Sequence, residues 1–435
     1  MVSSSPTAAA AAAIRRGQAG VARTLLQQGD GIEHERERVL LASPLAGQPE
    51  RYRVRAGGAD ARFDGPRQDR ERGHAPIRLR PGFGIPMGVP AAGRAVASCA
   101  MRIVKLVGIV VGALVLLMGG AVGYASATGE TKLSFPDTEA PRLNASKDLA
   151  VIDRGRYLVH GPAHCVHCHG ADGDPHPENG REPPLPGGRA FPMGPLGTRY
   201  ARNLTPDPET GIGGLSDEQL ARVLRTGVTH DGQLSFFMTV AAPNLSDDDI
   251  VAVISYLRSR EPVRNAVRQG EWSVLGKILL TYVFPPMKPR SVRGPVHVPP
   301  APEPSLARGE YLVEHVAICG GCHTAFDMDT FQQVGPKVGG SFPEPSHGPD
   351  QDMEFVAPNL TSHVTGYTGK VPEDLFVTRL RAGRVHATSL MPWECFGTMT
   401  DADLRSISRF LKSLPAAEND VGPTYRKLGW KRGQG

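Results

Sequence analysis

Cys165-Val166-His167-Cys168-His169 and Cys319-Gly320-Gly321-Cys322-His323 are two copies of one pattern, Cys-x-x-Cys-His. Two thiols at this spacing can add across the two vinyl groups of a haem, and the adjacent imidazole then reaches the iron. With six cysteines and 14 histidines in 435 residues, chance supplies the pattern roughly 0.003 times. A zinc site would place its second cysteine pair about 12–20 residues away, and a thioredoxin-like redox pair would want a βαβ setting with no following histidine. The motifs therefore predict two haem c groups, tethered at Cys165, Cys168, Cys319 and Cys322, with His169 and His323 as axial ligands.

Working outward, the surroundings repeat too. Arg154-Gly-Arg-Tyr-Leu-Val159 precedes the first motif and Arg308-Gly-Glu-Tyr-Leu-Val313 the second. Gly187-Gly188 recurs as Gly339-Gly340, Asn203-Leu-Thr205 as Asn359-Leu-Thr361, and Leu245-Ser-Asp-Asp-Asp-Ile250 as Met399-Thr-Asp-Ala-Asp-Leu404. The two motifs begin at Cys165 and Cys319, a period of 154, which indicates a tandem duplication, each unit the size of a small domain with a haem completing its core. Ser216 with Gln219, Ser246 with Asp249 and Thr400 with Asp403 read as capping boxes. Beyond the last two, Ile250, Val253, Ile254, Leu257 and Leu404, Ile407, Phe410, Leu411 follow helical spacing. The expected fold class is mainly α, two tandem haem-wrapping domains with scarcely any strand.

Each iron needs a sixth ligand. Met193, Met238, Met287, Met328, Met353, Met391 and Met399 follow the apolar segment described below, and the repeat register singles out two. Met238 lies 70 residues after Cys168 and Met391 lies 69 after Cys322, both shortly before the capped C-terminal helix. Met399 aligns with Leu245 and reads as packing. Pro392 extends the backbone that presents Met391.

Charge is unevenly placed. Residues 1–100 contain fifteen Arg and nine acidic residues, whereas the remainder holds 34 basic and 35 acidic residues. The excess is thus confined to the beginning, and no nucleic-acid partner is expected. Met101-Arg-Ile-Val-Lys105 resembles the basic start of an export signal, Leu106–Gly123 is uncharged and mostly apolar, and Ala125-Ser-Ala127 offers a small-residue cleavage pattern. We therefore expect a start at Met101, with residues 1–100 a non-native or disordered extension. Residues 106–123 would be an inner-membrane anchor, or a signal cleaved near Ala127, with everything after residue 130 exported. The expected organisation is then 101–127 signal or anchor, 140–262 first domain, 263–304 extended linker, 305–418 second domain and 419–435 tail.

The order Arg-Gly-x-Tyr-Leu-Val, Cys-x-x-Cys-His, Gly187-Gly-Arg-Ala-Phe191, Asn203-Leu-Thr-Pro-Asp-Pro-Glu-Thr-Gly-Ile-Gly213 and a capped terminal helix resembles the class I cytochrome c domains of cytochrome subunits in bacterial membrane-bound alcohol, aldehyde and gluconate dehydrogenases. The resemblance covers about residues 145–418. It implies electron transfer from a dehydrogenase subunit towards quinone or a terminal oxidase of the respiratory chain. Those subunits typically carry three haem motifs where this chain has two, and Thr239 stands where they usually have proline. With His and Met filling both axial positions, a passive periplasmic carrier rather than an enzyme is expected. The alternative is a dihaem peroxidase-like enzyme with one open haem site; a haem-based sensor would want a signalling domain.

Other residues invite plainer readings. His164 and His167 are expected to face solvent, though they could tune or replace a ligand; Cys395 is expected to be a small buried hydrophobe and Cys99 to be absent from the mature protein. Asn203 and Asn359 could bind a haem propionate or start turns. The apolar patch Trp272, Leu275, Ile278, Leu279, Tyr282 and Phe284 lies within the expected linker, which could dock on a domain or a partner subunit.

Overall fold

The computed structural model describes residues 91–431 apart from 177–180, 242–244, 292–299, 328–331 and 347–349, with side chains from Ala100 onward. Expectations on residues 1–90, Cys99 and Met328 fall outside these. The described residues up to Leu117 fall in one unit, and those from Met118 onward in a second.

Helix α1, Ala91–Thr128, contains the expected apolar segment. It is long and apolar enough to cross a membrane, and none of its apolar window is buried. A short 3₁₀ turn, Gly129–Leu133, follows.

The first half begins with α2, Leu149–His160, capped by Asp148, whose side chain accepts from the Ala150 amide. Then come a short attachment helix α3, Cys165–His169, and helices α4, Asp217–Thr226, α5, Phe236–Ala241, and α6, Asp247–Arg258. After α7, Val274–Tyr282, the order recurs. Helix α8, Leu306–Tyr311, continues through a π turn to Val316, and α9, Gly320–His323, carries the second motif. Then follow α10, Tyr367–Lys370, α11, Glu373–Arg381, α12, Trp393–Gly397, and α13, Asp401–Ser413.

Within each half the first and last long helices cross closely, and a glycine sets the distance. A Cβ on Gly155 would lie 1.9 Å from the Ala252 carbonyl oxygen, and one on Gly309 would lie 2.0 Å from that of Ser406. Only glycine lets two helix backbones approach so nearly. The helices then bury Leu158, Val159, Ile250 and Ile254 in one half and Leu312, Val313, Leu404 and Leu411 in the other, within one continuous core.

Beside each glycine an arginine ties the two helices of its own half, and a tyrosine joins the halves. Arg154 donates twice to Asp249 (2.9 and 2.9 Å), and Arg308 donates twice to Asp403 (2.9 and 3.0 Å). The tyrosines cross over: Tyr157 Oη donates to Asp403 at 2.6 Å, and Tyr311 Oη to Asp249 at 2.7 Å. Each tyrosine oxygen also accepts the amide of the opposite helix cap, Thr400 or Ser246. Only Ser216 and Gln219 close a reciprocal capping box. At Ser246 and Thr400 the serine or threonine half forms, but the aspartates are taken by arginine and tyrosine.

Strands are more numerous than expected, though all are short. Ala190–Pro192 (β1), Gly197–Tyr200 (β2) and Glu271–Trp272 (β3) form one antiparallel sheet, with Thr198 opposite Glu271. Ala325–Asp327 (β4) pairs with Gln332–Val334 (β5). Glu344–Pro345 (β6), Met353–Phe355 (β7) and Tyr425–Lys427 (β8) form the third. Two-to-four-residue strands carry too little alternation to be recognised from sequence.

Two segments depart from a bare spacer and tail. The described part of the 263–304 linker folds onto the first half: Trp272 and Leu280 join a second core with Leu133, Val228 and Leu234. Residues 425–427 of the expected tail form a sheet strand, secured by a buried Arg426–Glu354 pair at 2.6 Å. Both differences arise from long-range pairing, which local composition does not report.

Candidate haem-attachment sites

Each attachment turn begins with a residue in the left-handed region, His164 at φ 40° and Ile318 at φ 47°. The conformation is costly for a β-branched residue, and its recurrence just before both first cysteines marks a constrained turn. The thiols of Cys165, Cys168, Cys319 and Cys322 are all free, and Cys322 is exposed. Burial pushes Cys165 and Cys319 up to about 12, so both are neutral thiols at physiological pH.

The histidines have equivalent settings. His169 Nδ1 lies 2.7 Å from the Arg202 carbonyl oxygen, and His323 Nδ1 lies 2.9 Å from that of Pro358. A carbonyl only accepts, so Nδ1 carries the proton and the Nε2 lone pair is left for a metal. Burial holds both imidazoles below the usual histidine value, which favours the neutral ligand form. Among the described residues no three His, Cys, Asp or Glu side chains gather as a bare-metal site. Paired free thiols beside an imidazole presenting Nε2 fit a haem at both motifs.

The residues that place those carbonyls were only half legible. Asn203 Oδ1 accepts from the amide and hydroxyl of Thr205 at 2.9 and 2.7 Å, while its Nδ2 donates to Val263 and Thr210. Asn359 does the same with Thr361, and its Nδ2 donates to Ala417 and Asn419. Each amide group is fully used, which favours the turn reading over a propionate contact. The Asn-Leu-Thr motif therefore locks the residue before it, whose carbonyl aims the histidine. The His169 carbonyl in turn accepts from Gly187, and that of His323 from Gly340. This pairs Gly187 with Gly340, one residue off the register suggested by the glycine doublets.

The methionines differ from each other. Met238 is half-buried within α5, and the amide of Thr239 donates to the Ser235 carbonyl at 3.0 Å, a bond proline could not make. Met391 is half-buried just ahead of α12 and packs against the main core, as Cys319 does. Its carbonyl accepts from Arg384 and from the Trp393 amide. Met399 is 1% exposed within that core.

The first site also touches the second half. His164 and His167 are half-buried rather than solvent-facing, and the His164 ring meets Phe396 edge-on at 5.6 Å. Cys395 is fully buried, and burial with the nearby Cys165 thiol pushes it up to about 12. No sequence signal pointed to this contact, because it joins residues more than 200 positions apart.

Residues 152–261 match the cytochrome c family. The chain contains a cytochrome c domain. Such a domain binds haem covalently, which agrees with the chemistry of the first motif. The chain is also 31% identical over 332 residues, 71% of its length, to the alcohol dehydrogenase (quinone) cytochrome c subunit of Gluconobacter oxydans, covering 62% of that protein. It is 32% identical over 291 residues to the gluconate 2-dehydrogenase cytochrome c subunit of Pantoea cypripedii, with 62% of this chain and 60% of that protein covered. A diheme cytochrome c-type protein of Cereibacter sphaeroides is 27% identical over 238 residues, 51% of this chain and 74% of that one. The match thus spans about six-tenths of the two dehydrogenase subunits. The resemblance drawn from the motifs, to cytochrome c subunits of such dehydrogenases, holds.

Proposed function

We propose that this chain is a membrane-anchored dihaem cytochrome that carries electrons on the periplasmic side, from a partner dehydrogenase to quinone or a terminal oxidase of the respiratory chain. The observation that carries it is the repeated setting of His169 and His323, each with Nδ1 tied to a backbone carbonyl. On this reading residues 140–262 and 305–418 are two cytochrome c domains. Support for the second lies in its repeat of the crossing glycine, the left-handed residue before the motif and the Asn-x-Thr lock. The dehydrogenase partner is suggested by the names of the similar subunits, and anchoring by α1.

A haem with two protein ligands supplies reversible one-electron exchange at iron. The protein's task is then to hold it. Cys165 and Cys168, and Cys319 and Cys322, would tether it, and His169 and His323, aimed by the carbonyls of Arg202 and Pro358, would ligate its iron together with Met238 and Met391. Pyridine haemochrome assay of the mature protein should give two covalent haems per chain; zero or one would defeat the reading.

Oxidised protein should show the weak far-red sulfur-to-iron band for both haems. Met391→Ala should remove about half of it and open one haem to carbon monoxide, and Met238→Ala the other half, since distant sites act additively. Met399→Ala should leave the band intact while costing about 2–5 kcal/mol of packing. A high-spin haem in the wild-type protein, or enzymatic peroxide turnover, would instead favour the peroxidase-like alternative.

A further inference from the structure

Helix α7, Val274–Tyr282, is apolar nearly all round, and its one charged residue, Lys277, is paired with Glu130 at 3.0 Å. A helix of that kind is ordinarily buried on every side. Here one face is covered: Gly276 sits against Leu196 and Trp272, and Leu280 is in the second core. Ile278 and Leu279 are half-buried, but Val274 is 54%, Leu275 44%, Tyr282 53% and the following Val283 63% exposed. Elsewhere from Gly129 onward, the exposed large apolar side chains among the described residues are scattered along the chain. Four within ten residues form a patch of the sort that marks an interaction surface.

Its place indicates what covers it. Tyr282 Oη donates to the Ala121 carbonyl of α1 at 3.0 Å, and Gly129, at the end of α1, lies against Lys277. Ala121 is two residues from the end of the mostly apolar segment 106–123. That run is about 27 Å long at helical rise, close to the hydrocarbon thickness of a bilayer. With α1 spanning a bilayer over that run, Tyr282 and the exposed Tyr124 would sit where it leaves the hydrocarbon, the depth at which tyrosines gather. We propose that α7 is a second membrane contact, lying in the lipid–water interface beside the exit of α1 with Leu275, Tyr282 and Val283 towards the acyl chains. Lys288, exposed a few residues on, would meet phosphate headgroups. The contact would hold the haem-bearing unit against the bilayer rather than on a swinging tether.

This rests on reading α1 as the anchor, and the test separates the two. The full-length haem-loaded protein is placed in phosphatidylcholine–phosphatidylglycerol liposomes containing a phospholipid with a photoactivatable acyl chain, and labelled peptides are mapped by mass spectrometry. Label is expected on residues 106–123 and on 274–284. Label on 106–123 alone, as when a protein partner rather than lipid covers α7, overturns the proposal but keeps the anchor; label on neither overturns both. The double variant Leu275→Glu, Val283→Glu should lose label from 274–284 at least about tenfold, with labelling of α1 and haem content unchanged. Undiminished label on 274–284 in that variant overturns the proposed face. If the variant fails to retain haem, the wild-type map alone decides.

Discussion

Asp403→Ala should destabilise the protein by about 3–5 kcal/mol, the cost of removing one partner from a buried ion pair. Asp403 and Arg308 are 2% and 3% exposed at the side chain, so the orphaned guanidinium gains little from water. Tyr157 loses its acceptor as well, and with it a bond between the two halves. Urea unfolding followed by circular dichroism checks the value, with Asp401→Ala as control. Asp401 pairs with Arg381 but is 64% exposed, and exposed pairs are worth only about 0–1 kcal/mol. Asp249→Ala should fall between them, because Arg154 remains 26% exposed and can be rehydrated. Equal effects for Asp401→Ala and Asp403→Ala would refute the crossed network as a source of stability.

Gly309→Ala should cost at least as much, on the order of 3 kcal/mol or more, because close-packed helices have no slack to absorb the added carbon. The new Cβ would lie 2.0 Å from the Ser406 carbonyl and 2.7 Å from the Phe410 Cβ. One obstacle is backbone, so no rotamer change relieves it, and α8 must move away from α13. The α8 chain runs directly into the second attachment turn, and the displacement should lower haem incorporation there. A haemochrome assay of the variant should approach one haem per chain, with the first site retained. Gly155→Ala should reverse the outcome, its Cβ being 1.9 Å from the Ala252 carbonyl. By contrast Gly383→Ala, with nothing within 4 Å but φ of 72°, should cost only about 1–2 kcal/mol of backbone strain and leave both haems attached.

The attachment motifs and the helical character were legible in the sequence because each depends on near neighbours, and the repeat because the same short stretches occur twice. Cys-x-x-Cys-His places thiols and imidazole within one turn, and helical periodicity reports a buried face over a dozen residues. What Arg-Gly-x-Tyr and Asn-Leu-Thr do was visible only as repetition. Arg308 reaches Asp403, and Tyr157 reaches the same carboxylate from the other half. Asn359 fixes a carbonyl that aims a histidine 35 residues before Pro358. The folding back of residues 263–291, the strand at 425–427 and the contact of His164 with Phe396 likewise depend on groups far apart along the chain. Local spacing sets which residues share a turn or a helix face. Which buried donor meets which acceptor is decided only when the helices pack, since each such group must then find a partner that water no longer supplies.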